Sequence, residues 1–370
     1  MIDFTPLTDR FGDAGAAVVI GALVGLAFGL LAQRSGFCAR SAVIGIARGS
    51  SSPALLVWLA ALGSGVVLAM LAIGAELISL EAVRLRAEPA SLSGAIVGGV
   101  LFGVGMVLAR GCASRHLVLA ASGNLRAIVT FGLFAAVALA TIAGPLVPVR
   151  QALSGLWMIG PQSNDAAALV GLSSGLVTAL GGLVLAGVVL IALLRGRSRL
   201  AVAGGALVGA VIVAGWVLTS GLAGHTFEPT QVETAAFTAP AANVLRYLSA
   251  PSEMALTFDV GLIPGAFIGA LVAAVLFGDF RLQWFASARD AVRYAGGAVL
   301  MGFGGVLAIG CTVGSLGNAV LMITSSWAAL IAILIGGIVA DRLVDARGRS
   351  AASAKSESGT TLEPSSALTV

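Results

Sequence analysis

Gly98–Cys112 reads GGVLFGVGMVLARGC, and Gly297–Cys311, 199 positions later, reads GAVLMGFGGVLAIGC. Ten of the fifteen aligned residues are identical, among them four glycines and the closing Gly-Cys pair. The chain is therefore a diverged duplication in which each copy carries an apolar, glycine-rich helix ending on a cysteine. Only three cysteines occur in 370 residues, so a repeat that keeps two of them makes Cys112 and Cys311 the leading candidates for chemistry. The third, Cys38, stands in a similar setting.

The surroundings of the repeat set the solvent. Hydrophobic residues make up 58% of the chain and charged ones 10%, with a mean hydropathy of +1.03, which no soluble core requires. Apolar runs near twenty residues, enough to cross roughly 30 Å of hydrocarbon, recur along the chain and are separated by short charged clusters. The composition predicts an all-α polytopic membrane protein with nine spans, at 15–33, 53–78, 92–110, 125–147, 167–194, 200–222, 256–277, 294–310 and 325–340. The start carries Asp3, Asp9 and Asp13 against Arg10, the wrong charge for a cleaved signal peptide, so the first span is expected to be retained. A formal charge of +4 reflects arginine-rich loops and gives no reason to invoke nucleic acid. An odd number of cysteines argues against a disulfide framework.

Arginine placement gives the orientation. Arg34, Arg40 and Arg48, then Arg110, Arg115 and Arg126, then Arg195, Arg197 and Arg199, then Arg281, Arg289 and Arg293, then Arg342, Arg347 and Arg349 all fall on one side, which is read as the cytoplasm of a bacterial inner membrane. The opposite loops hold the acidic start, Glu81 to Glu88, and the long segment 224–257 with Glu228, Glu233 and Glu253. The N-terminus is then outside and the C-terminus inside. Glu76 and Asp259, near span ends, are expected to face the interface, so proton or sodium coupling has no evident carrier residue. The tail 346–370 is polar and serine-rich and is expected to be disordered.

Four apolar stretches, 38–48, 113–122, 241–249 and 312–323, are too short to span and read as re-entrant or interfacial helices. The pattern is span, short helix, span, span, short helix, span, once over 1–150 and again over 200–345, with a linking span in 151–199. Five crossings separate the repeated glycine-rich spans, so the two copies run in opposite directions, as in transporters built from inverted repeats. Gly21, Gly25 and Gly29, and the glycines of the repeat, let helix backbones approach closely, which is packing before it is function.

The cysteine segments are Arg34-Ser-Gly-Phe-Cys38-Ala-Arg40-Ser41, Arg110-Gly111-Cys112-Ala-Ser114-Arg115 and Ile309-Gly310-Cys311-Thr312-Val-Gly-Ser315. Each places a thiol at the break before a short helix, where unpaired backbone N–H groups and the positive end of a helix dipole suit an anion. Ser41, Ser114, Thr312 and Ser315 add hydroxyl donors, and arginines flank two of the three sites. The pattern points to an anion passage lined by soft sulfur. The plain alternative for any one membrane cysteine is a small buried apolar residue. Two others compete: Cys112 and His116, at i and i+4, suit a soft metal ion, and the thiols suit a membrane redox protein if they pair in space. No Walker, dinucleotide or haem signature is present, so no cofactor and no enzymatic activity are expected.

In the segments Gly36-Phe37-Cys38, Arg110-Gly111-Cys112 and Gly310-Cys311, and in nine spans with four short helices, the chain resembles the YeeE/YedE membrane proteins over nearly its whole length. The resemblance implies uptake of thiosulfate or a related sulfur or selenium compound. It implies that Cys38, Cys112 and Cys311 contact the ion in turn, Cys112 most critically, with Arg110, Gly111, Ser114, Gly310 and Thr312 around them. Some family members carry a fused sulfur-carrier domain, and nothing after Arg349 is long or apolar enough to be one. Any carrier, TusA-like or a rhodanese, is then a separate cytoplasmic partner.

Overall fold

A computed structural model describes residues 4–49, 52–194, 199–226, 231–251 and 255–345. Arg195, Arg197, Arg347, Arg349, Glu228, Glu253, Asp3 and the tail lie outside the described residues. In chain order the helices are α1 (Thr5–Ser35), α2 (Ala39–Ala47), α3 (Pro53–Gly74), α4 (Arg84–Ala87), α5 (Leu92–Leu108), α6 (Ala113–Ala121), α7 (Leu125–Ala143) and α8 (Val147–Ser154). There follow α9 (Ala166–Val170), α10 (Ser174–Leu194), α11 (Arg199–Ala223), α12 (Ala239–Ser249), α13 (Phe258–Leu276), α14 (Ala288–Leu307), α15 (Thr312–Ala319) and α16 (Thr324–Ala340). Nine helical segments among the described residues are long and apolar enough to cross a membrane, and three of them, Thr5–Ala47, Leu92–Ala121 and Ala288–Ala319, contain a break. The nine expected spans and four short helices are all present. The protein is an all-α polytopic membrane protein.

The differences in span boundaries have local causes. The first span starts earlier, at Thr5, because Gly12 (φ 70°) lets two helices join across a kink. The fifth starts later, at Ser174, because Gly171 (φ 71°) adopts the left-handed conformation and ends α9. Gly144 ends the fourth span, and the amphipathic α8 follows as a separate helix.

Glycine contacts set the direction of most of the major helix pairs. A Cβ at Gly98 would lie 2.5 Å from the Gly304 carbonyl oxygen, and one at Gly105 would lie 2.7 Å from that of Gly297. The two copies of the repeat therefore cross antiparallel at backbone contact. Gly204 meets Ser35 and Gly221 meets Phe4, so α1 and α11 are antiparallel too. Three pairs run parallel: Gly21, Gly25 and Gly29 of α1 pack on Phe258, Leu262 and Ala266 of α13, Gly205 and Gly209 of α11 on Val57 and Ala61 of α3, and Gly99 and Gly103 of α5 on Ala329 and Ile333 of α16, whereas the linking span α10 packs antiparallel on α3, with Gly63 against Leu185 and Gly181 against Val66. Exchanging α1 with α11, α3 with α13, α5 with α14 and α7 with α16 carries the pairs of the two repeats, α7–α14 included, into one another. Each helix that meets its own counterpart does so antiparallel, which only a two-fold axis perpendicular to the helices produces.

The correspondence extends past the repeated sequence. The turn after α6 receives the Arg281 N–H at Ser122 O (2.9 Å), and the turn after α15 receives the Ala166 N–H at Met322 O (2.8 Å). Gly123 (φ 89°) and Met322 (φ 59°), 199 residues apart, both take left-handed backbone in these turns. The turn after α6 thus docks on the loop between α13 and α14. The turn after α15 docks on the loop before α9, where Arg86 ion-pairs with Asp165 and Asn164 Oδ1 accepts from the Ser325 N–H.

The close crossings predict a sharp contrast. Gly98→Val forces a side chain into the α14 backbone and should lower the stability of the detergent-solubilised protein by roughly 1–3 kcal/mol or more. Gly296→Ala, where a Cβ meets nothing within 4 Å, should leave the unfolding temperature unchanged. Equal unfolding temperatures for both variants would contradict the backbone contact.

Candidate functional site

The three cysteine breaks share one construction. At the end of α5 the Gly111 N–H donates to Met106 O (3.0 Å) around Arg110, whose φ is 58°. At the end of α14 the Gly310 N–H donates to Gly305 O (2.9 Å) around Ile309, whose φ is 57°. At the end of α1 the Phe37 N–H donates to Ala32 O (3.2 Å) around Gly36, at φ 65°. Each is a left-handed helix stop of the kind that satisfies the last carbonyls. In each the cysteine lies two residues beyond the left-handed position and becomes the N-cap of the next helix. A left-handed backbone costs a non-glycine residue roughly 1–2 kcal/mol, and a β-branched residue such as Ile309 is an outlier there. The surrounding packing holds this conformation at equivalent points of both copies.

None of the three N-cap thiols makes a capping hydrogen bond. Backbone N–H groups of the first turns, at Ser41, Arg115, Val313 and Gly314, lie close enough to act on the three sulfurs, so each thiol sits at the amide end of its helix. All three cysteines are free and buried. Cys38 and Cys112 are neighbours, with Ser41 beside the first and Ser114 Oγ at 3.4 Å from the second. Cys311 lies near the backbone amides of Val313, Gly314 and Phe237, and neither of the other thiols is among the groups that act on it. The Phe28 ring bridges the two flanks, 6.2 Å from the ring of Phe37 and 4.9 Å from that of Phe237.

The remaining candidates divide. Thr312 and Ser315 are almost fully buried at the start of α15, and neither hydroxyl has a hydrogen-bond partner. Most buried polar groups are satisfied, so both hydroxyls remain available as donors or acceptors beside Cys311. Gly310, at φ 157°, is closely packed, since a Cβ would lie 3.1 Å from the Ser315 nitrogen. Gly111 makes room for the His116 ring in the same way. Arg110 is not brought to the thiols: its side chain is 46% exposed and pairs with Asp290 at 3.7 Å. Arg115 takes that place, close enough to act electrostatically on Cys38, with a buried Nη1 lacking a hydrogen bond. His116 is buried against the edge of Tyr294. Among the described residues no three His, Cys, Asp or Glu side chains gather in a metal-holding group.

Two features were missed from the sequence. The fourth short helix, α12, has Thr238 as its N-cap, the position that Cys38 holds before α2, and its hydroxyl is buried and unpartnered. The signal was the repeat itself, since its 199-residue offset carries Cys38 to Phe237, one residue before Thr238. Asp259 does not face the interface. It is 5% exposed, and Asn243 Nδ2 donates to its Oδ2 at 2.7 Å, because the close α1–α13 packing turns the start of α13 inward.

A family model described as sulphur transport matches residues 34–339, from the first cysteine break to the end of the last span. The chain belongs to this family. The YeeE/YedE resemblance carried by the cysteine segments is thereby established, and the family's work is the transport of sulfur compounds across membranes. The thiosulfate transporter TsuA of Escherichia coli (strain K12) is 27% identical over 278 residues, which cover 69% of this chain and 75% of that protein.

The placement of the thiols makes a direct prediction. Mild oxidation of the folded protein with diamide should join Cys38 to Cys112 and leave Cys311 free in peptide maps. A Cys112–Cys311 link formed equally well would contradict the separation.

Proposed function

We propose that this protein takes up thiosulfate, or a closely related sulfur anion, through the bacterial inner membrane, with Cys38, Cys112 and Cys311 as successive contacts. The observation that carries the reading is the repeated break: a free buried thiol at the start of a short helix, three times, with unpartnered hydroxyls at Thr312 and Ser315. Helix N-termini stabilise anions, and a thiol adds a weak S–H donor and a polarisable contact that suit the sulfur end of thiosulfate. The similarity to a thiosulfate transporter supports the same cargo. Such contacts hold the ion well enough to replace water and weakly enough to release it, and no covalent step is needed.

The proposal includes a division into two inverted repeats, 1–150 and 200–345, joined by the span within 151–199, and a tail at 346–370. The N-terminus lies outside and the arginine-rich loops inside. Cys311, Thr312, Ser315 and Gly310 then meet the anion from the outer side, and Cys38, Cys112, Gly111, Ser114 and Arg115 receive it on the inner side. Arg110 serves the left-handed stop more than the ion. A separate TusA-like carrier or rhodanese accepts the sulfur in the cytoplasm.

Growth tests the reading. A bacterium lacking its own sulfate and thiosulfate importers should grow on thiosulfate when it expresses this chain and fail with Cys112→Ala, although that variant accumulates normally in the membrane. Cys38→Ala and Cys311→Ala should slow growth, and His116→Ala should not reproduce the Cys112→Ala defect. Undiminished growth with Cys112→Ala would overturn the role of the thiols.

A further inference from the structure

Glu233, in the segment before α12, and Asp259, in the first turn of α13, line the same three cavities, the largest of about 700 Å³. Asn243 donates to Asp259, whereas the Glu233 carboxylate makes no hydrogen bond among the described residues. The opposing charge nearest to Glu233 is Arg84, which is 61% exposed and lies 3.9 Å from Glu88. Asp13, Glu88 and Arg150 are the other charged groups on the cavity walls. The same wall carries Thr238, whose hydroxyl is 2% exposed and unpartnered, next to Gly305 and Gly310 of the Cys311 break. A side chain at Gly305 would collide with that hydroxyl at 2.8 Å, so the glycine keeps the Thr238 side chain in place.

Two carboxylates in a cavity that reaches the Cys311 break are at odds with the entry of a doubly charged anion. Burial, and then the nearby Asp259, push the Glu233 carboxyl well above the usual carboxylate range, against the smaller opposing pull of Arg84. The membrane potential adds to the demand: with a negative interior, each charge on the anion is opposed roughly fifty-fold per 100 mV. A proton taken up with the anion offsets one of the two charges.

We propose that Glu233 and Asp259 form a proton-binding site coupled to anion binding, in which a proton held by the carboxylate pair neutralises the cavity and the anion binds beside it at Thr238 and the start of α15. This rests on the thiosulfate reading and adds its coupling ion. The proton comes from the solution on the cavity side and binds a carboxylate oxygen, and no bond within the anion is broken. Linkage then requires that anion and proton each strengthen the binding of the other. Because the protonated pair is the competent form, affinity rises as pH falls and is lost as pH rises through the titration of the pair.

Calorimetry on the purified full chain, with thiosulfate as the probe and pH varied about one unit to either side of neutral, tests this. A weakly buffered indicator reads proton uptake in parallel. The wild type should bind thiosulfate with an affinity that falls up to about tenfold per pH unit on the alkaline side, taking up protons as it binds. Glu233→Gln and Asp259→Asn, each checked for an unchanged unfolding temperature, should bind thiosulfate without the pH dependence and without proton uptake. Wild-type binding that is independent of pH and takes up no proton overturns the coupling by itself, with no variant needed. A requirement for sodium in place of protons overturns it too. If the wild type binds no thiosulfate at any pH, the cargo reading fails and the coupling falls with it.

Discussion

Hydrocarbon offers no hydrogen bonds, and a helix that stops inside it exposes backbone groups that must be satisfied by protein or by what the protein binds. Among the described residues, three apolar segments of membrane-crossing length break before a short helix. At each stop a left-handed residue lets the chain satisfy the carbonyls of the finished helix, as at Gly111 to Met106 and Gly310 to Gly305. The opposite need, the amides of the next helix, is left with a cysteine that makes no capping bond. On the proposed function, the asymmetry between a closed C-terminus and an open N-terminus is what would let an anion bind at each break. The glycine-faced crossings serve the same end, because backbone contact between α5 and α14 buries the two equivalent breaks in protein.

Duplication makes the two ends alike in backbone and leaves them free to differ in chemistry. Arg110 and Ile309 share a left-handed conformation although one is charged and the other is not. Cys38 and Thr238 share an N-cap position although one is a thiol and the other an alcohol. Around Cys38 and Cys112 stand Arg40, Arg115 and His116, whereas the cavity beside Cys311 holds Glu233 and Asp259. With guanidinium groups at one end and carboxylates at the other, the two ends differ in charge although their frame is two-fold symmetric.

The nine spans and the positions of the short helices were legible because hydrocarbon demands a length and an apolarity that few other structures have. The breaks were legible because the repeat preserved Gly-Cys at both. Span ends were less so: whether Gly12 kinks a helix or ends it depends on packing that no local pattern carries. Arg110 adjoins a cysteine in sequence, while its left-handed backbone and Asp290 draw its side chain away from the thiol, which no local pattern shows. Asp259 was misjudged because a carboxylate near a span end normally faces water, and only the contact of α13 with α1 turns its first turn inward. Thr238 was invisible to a search keyed on cysteine.

The central claim is that buried thiols at helix breaks select a sulfur anion, and it is tested most directly by uptake of radiolabelled thiosulfate into proteoliposomes that contain this chain alone, with sulfate as competitor. Sulfate has a similar size and charge but presents only oxygen. The account predicts saturable thiosulfate uptake that excess sulfate barely inhibits and that Cys112→Ala abolishes. Equal transport of sulfate, or undiminished thiosulfate uptake by the Cys112→Ala protein, would contradict it.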